Sequence, residues 1–256
     1  MDDTVQLPQF DGLPSSRRDP LVFHVLTGPA WRERRLADLL AAGARLVPPA
    51  SRADDTLGFV GGTDIAAGDC FRLFFTVGFP YFTSGLGSRK ALAFDLATLQ
   101  RHGPVGWRVR DMASLYGRAA EHLREPHLRE LSRRATVWDP KSVLALARLD
   151  VELLSGSANG TRRVDRILEA AERIVDREAC RDHHGLDVSY WYFRPAFVNR
   201  QIEHKHRAGR NEPGPVDSEI VLEGELPLAE ARFVYDGMVE RRWMPMEDLS
   251  VGRAQP

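Results

Sequence analysis

Two glutamates near the C-terminal end of the sequence are the residues best placed to do chemistry. Glu219 and Glu223 lie in the stretch 218–223, which glycine and proline bound on both sides, and this predicts a short β-strand. Because side chains alternate along a strand, both glutamates face one side, and Ile220 and Leu222 face the other. A carboxylate on such a turn-bounded strand is a candidate site group. The alternative is an edge strand with solvated glutamates.

A histidine occupies a second apolar segment. His24 lies within Val-Phe-His-Val-Leu at 22–26, which predicts a strand. A helix is predicted to follow at 31–42, with Gly43 ending it. Position alone leaves two interpretations of His24 open, namely a hydrogen-bonded core residue and a group that contacts a ligand.

A loop rich in glycine and aromatic residues separates the predicted strands 71–77 and 91–96. This aromatic loop, residues 78–89, contains Tyr81 and Phe82 and ends at Arg89. Glycine lets the backbone approach a ligand closely, and aromatic rings offer a flat surface to a planar group. The loop matches neither GxxxxGK[ST] nor GxGxxG. It is therefore either a binding loop for a planar ligand or a hairpin connection with buried aromatic rings.

Arginine is concentrated in two segments, Arg101–Arg134 and Arg200–Arg210. These segments either contact phosphate groups of a nucleic acid or are the solvated faces of helices. The net charge of the whole chain is −1, so any attraction to a polyanion must be local.

Composition indicates a soluble globular protein, with 43% hydrophobic and 28% charged residues. Cys70 and Cys180 are the two cysteines, and their separation matches no metal motif, so a reducing cytoplasm is expected. The histidine pairs at 183–184 and 204–206 have no HExxH or CxxC partner, and no GxSxG motif is present, so neither a metal site nor a serine hydrolase is expected. The sequence has no apolar run of about 18 residues, so no membrane span is expected.

The order of predicted elements indicates one α+β domain over residues 21–256, after a flexible leader at 1–20. Strands are predicted before residue 97 and again at 218–223 and 231–235. The middle, at about 105–210, reads as a helical insertion, in which Asp139-Pro140 opens a helix that runs to about Leu154. Strands from the two ends of the chain are expected to share one sheet, with the helices at its side. Further helices are predicted at 110–123, 164–175 and 194–207.

Three segments together resemble the ADP-ribosyltransferase fold, and most closely its DNA-modifying DarT-type branch. The segments are Phe-His-Val-Leu-Thr at 23–27 followed by Leu-Ala-Asp-Leu-Leu-Ala-Ala-Gly at 36–43, Phe-Phe-Thr-Val at 74–77 with the aromatic loop, and Glu-Ile-Val-Leu-Glu-Gly-Glu-Leu-Pro-Leu at 219–228. The resemblance implies a split-sheet core with a helical insertion. It also implies NAD-dependent transfer of ADP-ribose to a nucleic-acid base, a protein or a small molecule.

The same resemblance implies roles for individual residues. Glu219 matches the catalytic glutamate, whose carboxylate is expected to stabilise the positive charge that develops on the sugar, as in glycoside hydrolysis. Glu223 is expected to orient either Glu219 or the acceptor. His24 matches the histidine that holds the adenosine ribose of NAD, and Glu219 is expected to face a cleft lined by His24 and the aromatic loop. Further residues expected to contact NAD are Thr27, Tyr81, Phe82 and Arg89. The family's Pro-Arg-Ser-Pro-like stretch is replaced here by Phe-Thr-Ser-Gly-Leu-Gly-Ser-Arg at 82–89. A non-catalytic module that binds nucleic acid or a partner protein is the alternative function.

Overall fold

The computed structural model of the 256-residue chain describes residues 12–13, 20–26, 31, 33–51, 65, 67–77, 89–109, 129–130, 132–133, 136–155 and 218–251. The strands of this part are β1 (Leu21–Leu26), β2 (Arg45–Leu46), β3 (Leu73–Val77), β4 (Lys90–Asp95), β5 (Val105–Val109), β6 (Ser218–Leu222), β7 (Leu226–Pro227), β8 (Phe233–Asp236) and β9 (Glu240–Pro245). The α-helices are α1 (Leu36–Ala41), α2 (Leu96–His102), α3 (Pro140–Ser155) and α4 (Met246–Val251). Short 3-10 turns cover Pro49–Ser51, Asp69–Phe71 and Leu228–Glu230.

Seven strands form one antiparallel sheet in the order β5-β6-β3-β1-β4-β8-β9. Strand β6, from the C-terminal part, lies between β3 and β5, and β8 pairs with β4. The prediction that strands from both ends of the chain share one sheet in an α+β domain is therefore confirmed. Strands β2 and β7 pair separately, as a small two-stranded sheet.

The two faces of the sheet have different surroundings. On the first face, alternate apolar residues of the strands form the main core, and α3 packs there against β3 and β5. Strand residues in this core include Val22, Leu26, Leu73, Phe75, Val77, Leu92, Phe94, Trp107, Ile220 and Leu222. On the second face, a smaller cluster covers β1, β4, β8 and β9, and it consists of Phe23, Ala91, Ala93, Phe233, Tyr235 and Trp243. The second face of β5 and β6 instead carries two buried charged side chains, Arg108 and Glu219.

Two predicted helix boundaries, the start of α3 and the stop after α1, are confirmed. Asp139 caps α3, because its Oδ2 accepts hydrogen bonds from the backbone N–H (2.9 Å) and hydroxyl (2.6 Å) of Ser142. These hydrogen bonds lower the pKa of Asp139. Pro140 occupies the first helical position, where its missing N–H costs nothing. Gly43 follows α1 at φ +65°, a conformation that favours glycine. In the described part of the chain, no helix has the length and apolar character needed to cross a membrane.

Several element boundaries differ from the predictions. Helix α1 begins at Leu36, and β3 begins at Leu73 after a 3-10 turn that occupies 69–71. Strand β5 lies at the start of the segment predicted as a helical insertion, and α2, β9 and α4 were not predicted. These elements are five to seven residues long, so their period is too short to read, and β5 depends on pairing with the distant β6. The predicted strand 57–60 and the helices at 110–123, 164–175 and 194–207 lie outside the described residues, as does nearly all of the leader.

Candidate active site: a buried chain of arginines and carboxylates

Strand β6 places its two glutamates as the alternation predicts. Ile220 and Leu222 are fully buried in the main core on the first face, so Glu219 and Glu223 belong to the second face. Strand β6 is an interior strand, and Glu219 is only 8% exposed. The alternative of an edge strand with solvated glutamates is therefore wrong for Glu219, because its carboxylate has been removed from water.

Arg108 neutralises Glu219 from the neighbouring strand. The two residues are directly opposite in the register of β5 and β6, and Arg108 Nε donates a hydrogen bond of 2.7 Å to Glu219 Oε1. The Arg108 guanidinium also lies 5.1 Å from the centre of the Phe74 ring. A buried carboxylate keeps its charge only with such a partner, so the pairing is what allows Glu219 to be ionised inside the fold.

Arg72 holds Glu223 in the same way at the other end of β6. Arg72 Nε donates to Glu223 Oε1 at 3.0 Å, and Nη2 lies 2.9 Å from the same oxygen. The guanidinium is 5.2 Å from the centre of the Trp138 ring, within the range of a cation–π contact. Unlike Glu219, Glu223 has a side chain that is 43% exposed. It is thus the carboxylate of β6 that solvent reaches.

Asp69 joins the two ion pairs. Arg72 Nη1 lies 3.0 Å from Asp69 Oδ1, and Arg108 Nη1 lies 3.0 Å from Asp69 Oδ2. The Ser132 hydroxyl donates to Asp69 Oδ1 at 3.2 Å and accepts from Arg72 Nη1 at 2.6 Å. Glu219, Arg108, Asp69, Arg72 and Glu223 therefore form one alternating series, called here the ion-pair chain. Three carboxylates and two guanidinium groups leave it with one excess negative charge when all are ionised.

Burial of such a chain has a large cost in free energy, because the charged groups lose their hydration. Removal of one partner from a buried ion pair typically costs about 3–5 kcal/mol, whereas an apolar replacement of the whole pair is often neutral or stabilising. Stability alone is therefore a weak reason for the burial of four charged groups, Glu219, Arg108, Asp69 and Arg72, in one chain. Functional sites are one place where charged groups are clustered in this way.

Residues 132–133 and 136–138, called here the covering segment, lie against the ion-pair chain. Val137 and Trp107 exchange backbone hydrogen bonds of 2.9 Å each, so the segment adds a bridge to the outer edge of β5. Thr136 and Trp138 then cross Gly106, where a Cβ atom would overlap Thr136 Cγ2 and come within 3.0 Å of the Trp138 ring. Glycine at 106 is thus what lets the covering segment approach the sheet.

An open cleft of about 680 Å³ lies beside the Glu223 end of the ion-pair chain. Its lining combines arginines with aromatic rings and two carboxylates, and the main residues are Phe71, Arg72, Arg129, Glu130, Arg133, Trp138 and Glu223. Arg133 pairs with Glu130 through two hydrogen bonds, at 2.9 and 2.7 Å. Guanidinium groups bind phosphate, and indole and phenyl rings stack on planar groups. The cleft therefore suits a ligand that carries both a phosphate and a ring.

The structure separates His24 from Glu219. His24 pairs with Leu92 in register, its Nδ1 lies 2.8 Å from the Phe74 carbonyl oxygen, and its ring is 5.4 Å from the Phe75 ring. These contacts place it on the first face, opposite to Glu219. The expectation that one cleft is lined by both residues is wrong for this structure, because strand alternation points the two side chains in opposite directions. The binding of NAD by His24 itself stays a prediction.

The other predicted contacts to NAD are only partly within the described residues. Arg89 precedes β4, and its carbonyl accepts a hydrogen bond of 2.9 Å from Gly237. Thr27, Tyr81 and Phe82 lie outside the described residues. The register pairs Glu219 with Thr76, and β3 ends one residue later, at Val77, after which the aromatic loop follows in the sequence. Glu219 therefore lies beside the end of β3 that precedes this loop.

Sequence reasoning missed three members of the ion-pair chain, Asp69, Arg72 and Arg108. A signal for Arg108 was present, because it interrupts the apolar segment Val-Gly-Trp-Arg-Val at 105–109. An arginine inside a short apolar strand must find a carboxylate on a neighbouring strand, and that partner is 111 residues away in the sequence. Only the strand order identifies the partner.

Comparison with known proteins adds no relative, since no family model, curated protein or solved structure matches this chain. The function must therefore be argued from the site itself.

Proposed function

We propose that this protein transfers ADP-ribose from NAD to an acceptor and that Glu219 of β6 is the catalytic carboxylate. The observation that supports the proposal best is the setting of Glu219. It is a buried carboxylate on an interior strand, it is held by Arg108 at 2.7 Å, and it lies beside the end of β3 that precedes the aromatic loop in the sequence. This agrees with the role that the resemblance to ADP-ribosyltransferases implies.

The chemistry needs a fixed negative charge more than it needs a general acid. When the bond between ribose C1′ and the nicotinamide nitrogen breaks, the electron pair leaves with nicotinamide, and positive charge develops on the sugar. The acceptor nucleophile then bonds to C1′ and loses its proton. A carboxylate already oriented in the fold stabilises this transition state more than the ground state. Arg108 keeps Glu219 in one orientation through a charge-assisted hydrogen bond.

Release of nicotinamide is the direct test. Purified protein is incubated with NAD, first alone and then with single-stranded DNA, RNA or protein, and nicotinamide is quantified. The products are searched by mass spectrometry for an added ADP-ribose group. We expect release of nicotinamide and one class of ADP-ribosylated acceptor. Absence of release with every acceptor would overturn the proposal.

The cleft at the Glu223 end favours a second candidate function, binding of a nucleic acid without turnover. Arg72, Arg129 and Arg133 line it together with Trp138 and Phe71, which is 55% exposed. Arginines with aromatic rings are the combination that holds single-stranded nucleic acid. Because phosphate contacts release counterions, the affinity should fall steeply as salt rises. An affinity that does not change with salt, or no binding at all, would remove this candidate.

A further inference from the structure

We infer that Asp69 is a positioning residue that aligns both glutamates of β6 through Arg108 and Arg72. The inference rests on the proposed function and adds to it a residue that does not touch the substrate. Asp69 stands at the centre of the ion-pair chain, and its side chain is 3% exposed. Arg72 lies three residues after Asp69 in the sequence, but the second arginine, Arg108, is brought to Asp69 only by the sheet, so the sequence around Asp69 does not predict this role.

The geometry of arginine explains how one carboxylate can orient two others. The guanidinium group is planar, and its five N–H groups have fixed directions. When Asp69 binds Nη1 of Arg108, the Nε of the same group is directed at Glu219. When Asp69 binds Nη1 of Arg72, Nε and Nη2 are directed at Glu223. Each arginine therefore transmits the position of Asp69 to one glutamate.

Ser132 also fixes the position of the Asp69 carboxylate. Its hydroxyl donates to Asp69 Oδ1 and accepts from Arg72 Nη1, so it closes a triangle with the two charged groups. The Asp69 backbone lies in a 3-10 turn that follows Gly68, whose φ is +82°. The central carboxylate is thus held by its own turn and by a hydroxyl from the covering segment.

Loss of the Asp69 charge should act on turnover more than on the binding of NAD. Without the carboxylate, both guanidinium groups lose the anchor that sets their rotation, and Glu219 shifts with Arg108. A displacement of about 1 Å in a catalytic group can lower the rate by about 10²-fold. Contacts to the remote parts of NAD do not depend on this alignment, so KM should change little.

The test compares Asp69→Asn with a matched control, Asp236→Asn. Both aspartates are buried, at 2% and 4% exposure, and the carboxylate of Asp236 accepts a hydrogen bond of 3.1 Å from the Met238 backbone N–H in the β8–β9 turn, away from the ion-pair chain. We expect Asp69→Asn to lower kcat for nicotinamide release about 10²-fold with KM for NAD nearly unchanged, and Asp236→Asn to leave kcat unchanged. Folded Asp69→Asn protein with full kcat, or an equal loss in the control, would overturn the inference.

A double variant separates positioning from general loss of structure. If Asp69 acts through Glu219, Asp69→Asn should cost little further activity once Glu219→Gln is present. If the two losses multiply, Asp69 does not act through Glu219 and the inference fails. Should Asp69→Asn not fold, Arg108→Lys replaces it, since lysine keeps the charge but cannot bridge two carboxylates as the planar fork does. Full kcat in Arg108→Lys would then overturn the inference.

The role of Asp69 can also be tested if the proposed function is wrong. If wild-type protein releases no nicotinamide, the proposed function fails. The alignment of Glu219 by Asp69 is then tested from the free energies of unfolding of the variants, measured in urea. We expect Asp69→Asn and Glu219→Gln to be coupled in stability, and Asp236→Asn and Glu219→Gln to be additive. Additive effects in both pairs would show that Asp69 does not align Glu219.

Discussion

At the scale of single residues, the surroundings of Glu219 explain how a buried carboxylate can be charged and why its replacement should destabilise the fold. The carboxylate is buried, but it pairs with Arg108, and Arg108 in turn pairs with Asp69. Conversion of Glu219 to glutamine therefore removes more than a group that could contact a sugar, because Arg108 loses a partner as well. Thermal stability should fall in such a variant, so its activity must be measured well below its unfolding temperature.

A substitution at Gly106 tests how closely the covering segment packs against the sheet. Gly106→Ala should lower the free energy of unfolding by about 1–3 kcal/mol, because the added methyl group overlaps Thr136 Cγ2 and crowds the Trp138 ring. Urea denaturation measures the loss. Thr136→Ser removes Cγ2 but keeps the hydroxyl that donates to the Ser132 carbonyl oxygen at 2.8 Å. The double variant should recover part of the loss, and no recovery would contradict the contact.

At the scale of elements, Glu230 ties the end of α2 to the turn 228–230. It accepts hydrogen bonds from His102 (2.8 Å) and Arg101 (3.1 Å). Partial burial raises the pKa of Glu230, but the hydrogen bonds from His102 and Arg101 and the charge interactions with these residues together outweigh it and hold the pKa below the ordinary value of 4.5. A lowered carboxyl pKa means that the contribution to stability is present above that ordinary value and is lost as the pH falls through the folded-state pKa.

The corresponding prediction concerns Glu230→Gln. Wild type should melt at a higher temperature than the variant at neutral pH, because only the carboxylate gains from the positive charge of Arg101. The difference in Tm should shrink once the pH falls below about 4.5, where protonated glutamate resembles glutamine. Thermal unfolding monitored by circular dichroism at several pH values measures it. A difference that is equal at neutral and acidic pH would contradict the assigned contacts.

Elements with a strong local signal could be predicted from the sequence, and those that depend on distant partners could not. The Asp139 cap with Pro140 identifies the start of α3, and the alternation in 218–223 identifies the two faces of β6. Strand β5 has five residues with one glycine and one arginine, and it becomes a strand because β6 pairs along its whole length. For the same reason, Glu219 and Glu223 could be proposed from the sequence, while Asp69 required the folded structure.

At the scale of the whole molecule, the strand order joins the two ends of the chain in one core. Strand β6 lies between two strands that precede it by more than 100 residues in the sequence, so no N-terminal part can complete this sheet alone. The net charge of −1 gives the molecule no general attraction for polyanions. Binding of a phosphate-bearing ligand must then depend on local groups such as the arginines of the cleft.

Ile220→Ala tests the unity of the core. Ile220 is fully buried on the first face of β6, and truncation of such a side chain typically costs about 2–5 kcal/mol. Because β6 pairs with both β3 and β5, hydrogen-exchange protection should fall in all three strands together. Loss of protection confined to β6 would show that the C-terminal strand is not an integral part of the sheet.

The most direct test of the central claim is single-turnover release of nicotinamide by wild type, Glu219→Gln and Glu223→Gln, with NAD affinity measured in parallel. Glutamine keeps the shape of Glu219 but loses the charge that stabilises the cationic sugar. We predict a fall in rate on the order of 10²–10³-fold for Glu219→Gln, with NAD affinity nearly unchanged. A fully active Glu219→Gln protein beside an inactive Glu223→Gln protein would move the catalytic role to the carboxylate at the cleft. Full activity in both variants would contradict the account.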